Sequence, residues 1–71
     1  MQEKQATNTD NTYYNLVSAL YHALQEQQTS ASYIQDAQQS GNQQLVQFFQ
    51  QVQQDANRQA EQAKQLLSQM S

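Results

Sequence analysis

The stretch Ser40-Gly41-Asn42 decides the fold of this chain, because it is the only strong interruption in a long helical pattern. Gly41 is the single glycine among 71 residues, and there is no proline. Glycine readily adopts the left-handed conformation that ends a helix, and asparagine is a preferred N-cap for the next one. So short a connection makes the two helices antiparallel neighbours. The sequence predicts an all-α fold: an antiparallel two-helix hairpin with helix 11–39, turn 40–42 and helix 43–70.

Before the turn, apolar residues recur three and four positions apart, as they do on one face of an α-helix. Asp10, Asn11 or Thr12 could each cap the start of this helix. Residues 1–10 lack the pattern, so we expect a disordered N-terminal tail followed by one helical-hairpin domain, 11–71. The apolar positions of the first helix are Tyr13, Tyr14, Leu16, Val17, Leu20, Tyr21, Ala23, Leu24, Ala31 and Ile34.

After the turn, the apolar residues follow a heptad repeat, which predicts the seam of a left-handed helical bundle. The polar members of the two stripes are Gln59 here and Gln27 and Gln28 on the first helix. We expect these three amides to form a buried polar layer that fixes the register of the helices, with a ligand-binding layer as the alternative. The second stripe consists of Leu45, Phe49, Val52, Ala56, Gln59, Ala63, Leu66 and Met70.

The chain is too short to hide much of its surface, so it needs a further source of stability. It has no cysteine and one histidine, so neither a disulfide nor a structural zinc site can supply it. We therefore expect oligomerisation: a homodimer in which two hairpins form an antiparallel four-helix bundle. Its predicted interface and core residues are Val17, Leu20, Leu24, Ile34, Leu45, Phe49, Val52, Ala63 and Leu66.

The charge and hydropathy of the chain limit the classes of partner that it can bind. The formal net charge is −3, and the only lysines and arginines are Lys4, Arg58 and Lys64. This argues against nucleic acid and against an anionic membrane surface, since both attract clustered basic residues. No apolar run approaches transmembrane length, and no signal peptide opens the chain, so we expect a cytoplasmic location. The nineteen glutamines interleave with the apolar pattern and are good helix formers, which favours a solvated helix face.

The sequence offers little catalytic chemistry. His22 and Glu26 lie one helical turn apart, which is typical of a solvated surface pair but leaves them as the candidate metal ligands. There is no glycine-rich phosphate loop and no nucleophile beside a base. We therefore expect a non-catalytic protein without a cofactor. The tyrosines of the first helix and Phe48 and Phe49 of the second are expected in the core or at a dimer interface.

Two stretches resemble a known family. Residues 15–28, followed by Tyr33-Ile34, are similar to the first helix of the ferritin-like superfamily, and residues 45–67 resemble its partner helix. In rubrerythrin-type members the first helix carries a metal-binding glutamate about one turn after an Ala-Leu pair such as Ala23-Leu24. The partner helix carries a Glu-x-x-His motif. The resemblance covers residues 13–69 and implies the scaffold of a ferritin-like four-helix bundle.

The resemblance does not extend to the metal ligands. The Glu-x-x-His positions fall at Ala56 and Gln59, and the glutamate of the first helix falls at Gln27 or Gln28. Di-iron sites need several carboxylates and imidazoles. The implied protein is a short bacterial member that lacks the ligands and acts as a structural or protein-interaction module. The alternatives are an atypical metal-binding protein that uses Glu26 and His22, and an adaptor that docks on a larger helical partner.

Overall fold

The computed structural model describes residues 8–70, with side chains from residue 11 onward. Two α-helices, α1 (Asn8–Ser40) and α2 (Gln43–Met70), pack against each other as a hairpin, and residues 8–70 contain no strand. The molecule is 52 Å long, close to the roughly 50 Å that 33 helical residues span. No helix of this part of the chain is long and apolar enough to cross a membrane.

The first helix begins three residues before the expected start, so residues 8–10, which the sequence places in the disordered tail, are helical. No glycine or proline separates them from the periodic segment, and nothing there prevents the helix from extending toward the N-terminus. The rest of the expected tail, residues 1–7, lies outside the described residues.

The turn is held by hydrogen bonds from both sides. The Gly41 N–H donates to the Gln38 carbonyl and the Asn42 N–H to the Ala37 carbonyl, each at 3.1 Å, which is the Schellman pattern. Gly41 has a φ of 73°, in the left-handed region. The Asn42 side chain then accepts a 3.1 Å hydrogen bond from the Leu45 N–H, so Asn42 is the N-cap of α2. The turn therefore ends one helix and begins the next without a loop.

The seam between the two helices follows a heptad repeat on both sides. Every residue of the seam is buried or half-buried. From α1 it takes Leu16, Leu20, Ala23, Gln27, Ser30, Ile34 and Ala37; from α2 it takes Val46, Phe49, Gln53, Ala56, Ala60, Ala63 and Leu67.

The most deeply buried seam residues are small. Among the described residues only alanines, one valine and one serine are fully buried, and Ala60 has no exposed surface. Small side chains let two helices approach closely, because the distance between helix axes depends on the side chains at the contact. The hairpin core is therefore a narrow strip of methyl groups, made of Ala23, Ser30, Ala37, Val46, Ala56, Ala60 and Ala63.

The α2 seam differs from the expected stripe by a rotation of the helix. Phe49, Ala56 and Ala63 belong to both, but the seam continues through Val46, Ala60 and Leu67. Leu45 and Leu66, expected in the stripe, are exposed in the hairpin. The apolar surface of α2 is thus wider than one seam, and the alanine side of it packs against α1.

The close approach of the helices predicts that Ala60 tolerates no enlargement. We expect Ala60→Leu to lower the free energy of unfolding by about 1–3 kcal/mol, because the added methylenes overpack a closed seam. Ala31→Leu is the matched control, since Ala31 is exposed on α1. Urea unfolding followed by circular dichroism measures both. Equal stabilities of the two variants would contradict a tightly packed seam.

A second prediction concerns Gly41. A Cβ built on Gly41 has nothing within 4 Å, so a substitution there costs only backbone strain. We expect Gly41→Ala to destabilise the hairpin by about 1–2 kcal/mol. Gly41→Asn should cost less, because asparagine adopts the left-handed region more readily. The same unfolding measurement applies, and an alanine variant as stable as the asparagine variant would contradict this assignment.

Candidate interaction surface

A polar layer crosses the middle of the seam. The Gln27 side chain donates a 2.6 Å hydrogen bond to Asn57 Oδ1, and the Gln53 side chain donates to the Gln27 carbonyl at 3.2 Å. Both bonds join α1 to α2. Beside them the buried Ser30 hydroxyl lies within hydrogen-bonding distance of the Glu26 and Gln27 carbonyls of its own helix, at 2.7 and 3.1 Å. The two bonds between the helices specify which residues of α2 lie opposite Gln27.

The layer shares one residue with the expected one. Gln27 is half-buried in the seam, whereas Gln28 and Gln59 are exposed in the hairpin. The cross-helix partners of Gln27 are Gln53 and Asn57, which the sequence reasoning does not select. The sequence does contain a signal for Gln53. A heptad counted from Val46 instead of Leu45 runs through Val46, Phe49, Gln53 and Ala56, and so places Gln53 in the seam.

Most of the large apolar side chains lie outside the seam. Ten of them are exposed in the hairpin, while the buried core holds little beyond alanine. Single exposed apolar residues are ordinary, but a contiguous set marks an interaction surface. The ten are Tyr13, Tyr14, Val17, Tyr21, Leu24, Tyr33, Leu45, Phe48, Leu66 and Met70.

One side of the hairpin collects apolar residues from both helices. We call this side the apolar face. Leu45, Val52 and Leu66 of α2 are separated by multiples of seven residues, so they point to the same side of a heptad helix. Shallow depressions on this side are lined by both helices, which shows that α1 contributes to the face. The apolar face comprises Leu16, Ala19, Tyr33, Leu45, Phe48, Phe49, Val52, Leu66 and Met70.

The two ends of the apolar face differ in the type of side chain that they carry. At the end near the turn, the Tyr33 and Phe49 rings are 5.3 Å apart between centroids, and Phe48 and Phe49 are 5.5 Å apart in an edge-on arrangement. At the open end, the depressions lie between Leu16 and Ala19 of α1 and Leu66 of α2. The face therefore has shallow depressions at both ends, lined by aromatic rings near the turn and by aliphatic side chains at the open end.

A second exposed stripe lies on α1 alone. Tyr14, Val17, Tyr21 and Leu24 follow a 3-4-3 spacing, so they share one side of α1. In a helical-wheel projection of α1 based on its seam positions, this side lies opposite the side that carries Ala19 and Tyr33. The neighbouring positions of α2 on this side, such as Asn57 and Lys64, are polar, so the stripe stops at the edge of α1.

The expected interface residues consequently divide among three places. Val17 and Leu24 belong to the second stripe, and Leu45 and Leu66 to the apolar face. The half-buried Val52 also belongs to the apolar face, and the half-buried Phe49 belongs to both that face and the seam. In the seam itself are Leu20, Ile34 and Ala63.

Four charged side chains form two exposed ion pairs on α2, and Asp36 lines the depression between Tyr33 and Leu45. Arg58 pairs with Asp55 at 2.7 Å and Lys64 with Glu61 at 3.3 Å, both one turn apart on α2 and exposed, so each contributes little to stability. His22 is exposed, and its ring contacts Tyr21, not Glu26. Glu26 is half-buried. Within residues 8–70 no three His, Asp or Glu side chains are grouped so that they could hold a metal ion.

Comparison with known proteins gives no relative: no family model, no curated protein and no solved structure matches the chain. The ferritin-like resemblance therefore stays a prediction from the sequence. The function has to be argued from the surface of the hairpin.

The polar layer gives a prediction for a double-mutant cycle. We expect Gln27→Ala and Asn57→Ala each to destabilise the hairpin, and the double variant to lose less than the sum. The coupling should be about 0.5–1 kcal/mol, the usual net contribution of one hydrogen bond. The control pair is Gln28→Ala with Asn57→Ala, because Gln28 is exposed and outside the layer. Additive losses in the Gln27 cycle would show that the 2.6 Å bond does not stabilise the fold.

Proposed function

We propose that this protein is a non-catalytic protein-interaction module whose hairpin pairs with a second copy through the apolar face, giving a four-helix bundle. The observation that carries this proposal is the distribution of apolar side chains. The most deeply buried residues of the seam are mainly alanines, while Tyr33, Leu45, Phe48, Leu66 and Met70 stay exposed on one side. A surface of this kind is the main unused source of hydrophobic stabilisation in the hairpin.

The area of the apolar face suits a second copy. These five side chains are between 40% and 59% exposed. If a large side chain has about 200 Å² to bury, the five offer roughly 450 Å² from one copy, and two copies offer roughly 900 Å². The partly exposed residues between them bring the total to about 1,000 Å², the lower bound for a specific interface.

The size of the hairpin supports the same proposal. Two helices cover only one side of each other, so much of the apolar surface of α2 faces water. Domains this small depend on staples or on association. The chain has no cysteine, so association is the means left to it apart from a ligand. In this proposal the ferritin-like resemblance concerns the scaffold of a four-helix bundle and not its metal chemistry.

The second stripe of α1 favours one further candidate, an adaptor that docks on a larger helical partner. Tyr14, Val17, Tyr21 and Leu24 lie on the side opposite to the apolar face, so they would stay exposed in the proposed dimer. An apolar stripe with 3-4-3 spacing is suited to a partner helix. The dimer would use the apolar face and the adaptor would use the second stripe, so one substitution on each surface distinguishes the two candidates.

Two leucines provide a matched test of the proposed dimer. Leu45 on the apolar face and Leu24 on the second stripe are both 41% exposed. Light scattering on a size-exclusion column should give twice the 8.2 kDa chain mass for the wild type and for Leu24→Gln. Leu45→Gln should weaken the dimer by about tenfold, since both copies lose part of a leucine side chain worth about 2 kcal/mol when fully buried.

Two other results would contradict a dimer formed through the apolar face. A folded wild type that remains an 8.2 kDa monomer at all concentrations would overturn the proposal. A dimer weakened by Leu24→Gln and not by Leu45→Gln would place the interface on the second stripe. That outcome would leave the apolar face for another partner.

A further inference from the structure

We infer that an amphipathic partner helix with arginine side chains binds the apolar face, and that one arginine enters the depression between Tyr33, Asp36, Leu45 and Phe49. We call this the turn-end depression. The inference goes beyond the proposed function, because it assigns the face a partner other than a second copy. The partner helix takes the place of the second copy when it binds.

The turn-end depression combines aromatic rings with a carboxylate. The rings of Tyr33 and Phe49 are 5.3 Å apart between centroids, and Asp36 follows Tyr33 by three residues, so its carboxylate and the Tyr33 ring are neighbours on the helix surface. An arginine guanidinium stacks on aromatic rings and donates paired hydrogen bonds to a carboxylate. Its methylenes pack on apolar side chains such as Leu45. The depression therefore suits an arginine side chain along its whole length.

The carboxylate of Asp36 has no partner within the hairpin. Asp36 is exposed and forms no hydrogen bond or ion pair among the residues that the structure describes. Asp55 of α2 differs, because it accepts hydrogen bonds from Gln51 and Arg58 at 3.0 and 2.7 Å. An incoming cation can therefore bind Asp36 without breaking an existing contact.

A second carboxylate lies on the same side of α1. Glu26 precedes Tyr33 by seven residues, so the two side chains share one side of the helix. Glu26 is half-buried, and its carboxylate also has no partner in the described part of the chain. Glu26 and Asp36 are about 15 Å apart along the helix. A partner helix that lies along the face can meet both when its basic residues are about three turns apart.

The charges of the hairpin favour a basic partner over a second copy. Arg58 and Lys64, the cations of residues 8–70, are already in ion pairs, and neither lines a depression of the apolar face. His22 counts as neutral at pH 7. A second copy brings its own unpaired carboxylates to the face and no free cation. A basic amphipathic helix offers both the apolar contacts and the complementary charge.

Synthetic helical peptides test the chemistry of this partner. The probe is an amphipathic peptide of about 20 residues, with leucines on one side and two arginines about eleven residues apart beside them. The control peptide has citrulline at both positions, because citrulline keeps the shape of arginine without its charge. In fluorescence anisotropy with the whole chain, the arginine peptide should bind about tenfold more tightly than the citrulline peptide. Equal affinities, or no binding of either peptide, would overturn the inference.

Substitutions in the hairpin locate the arginine. Asp36→Asn should reduce the preference for the arginine peptide from about tenfold to about threefold, because one of two ion pairs is lost. The matched control is Glu61→Gln, which removes the same charge from an exposed carboxylate paired with Lys64, outside the depressions of the face. It should leave the preference unchanged. An equal reduction in both variants would show a general attraction to an acidic protein, and no reduction in Asp36→Asn would exclude the turn-end depression; either result overturns the inference.

Light scattering tests whether the partner helix takes the place of the second copy. Saturating arginine peptide should lower the mass of a wild-type dimer from twice the 8.2 kDa chain to one chain with one peptide. A dimer that keeps both chains while the peptide is bound would place the peptide away from the apolar face and overturn the inference.

The two proposals fail separately in these experiments. A wild type that is monomeric without peptide, yet prefers the arginine peptide through Asp36, overturns the proposed function and supports this inference. A wild-type dimer that binds the arginine and citrulline peptides equally overturns this inference and leaves the proposed function in place.

Discussion

The close contact between α1 and α2 along a seam of small side chains is the constraint on which the rest of the structure depends. Ala56, Ala60 and Ala63 are buried in the seam, so α2 presents methyl groups to α1 along this stretch. Such a seam gains little hydrophobic free energy for each residue, since an alanine methyl has little surface to bury. The turn at Gly41 and Asn42 fixes the order and direction of the helices, and the polar layer at Gln27 fixes their register.

The same constraint determines the outer surface. Once α2 presents its alanine side to α1, Leu45, Leu66 and Phe48 lie to one side of the seam. If the stripe had been rotated so that Leu45 and Leu66 entered the seam, the helices would have been held further apart and less apolar surface would face water. The apolar face is therefore a direct result of how α2 is rotated about its axis, and it is what supports the proposal of a second copy.

Local features of the sequence predict the fold, but not the rotation of the helices. One glycine followed by asparagine, in a chain without proline, is enough to indicate two helices and the turn. The seam positions of α2 are harder to predict, because its apolar residues cover a stripe wider than a single heptad seam. Leu45, Phe49 and Val52 look like the stronger seam by hydrophobicity, whereas the structure uses Val46, Phe49 and Gln53. The small side chains of Ala56 and Ala60 decide which side of α2 packs against α1, because they let the helices approach closely. Counting the spacing of apolar residues does not take the size of the side chains into account.

The candidate surface was harder still to predict for a related reason. Val17 and Leu45 belong to one predicted interface, yet both are exposed on opposite sides of the hairpin. The prediction is wrong here because the apolar pattern of one helix does not show how that helix is rotated relative to the other. If the hairpin pairs through the apolar face, its stability and its assembly depend on the same side chains, and association stabilises the folded state by an amount that grows with the logarithm of the concentration. A narrow seam makes this coupling strong, because the alanine contact alone contributes little. In this proposal, the small residues that let the helices approach closely also leave Leu45, Phe48 and Leu66 exposed for a second copy.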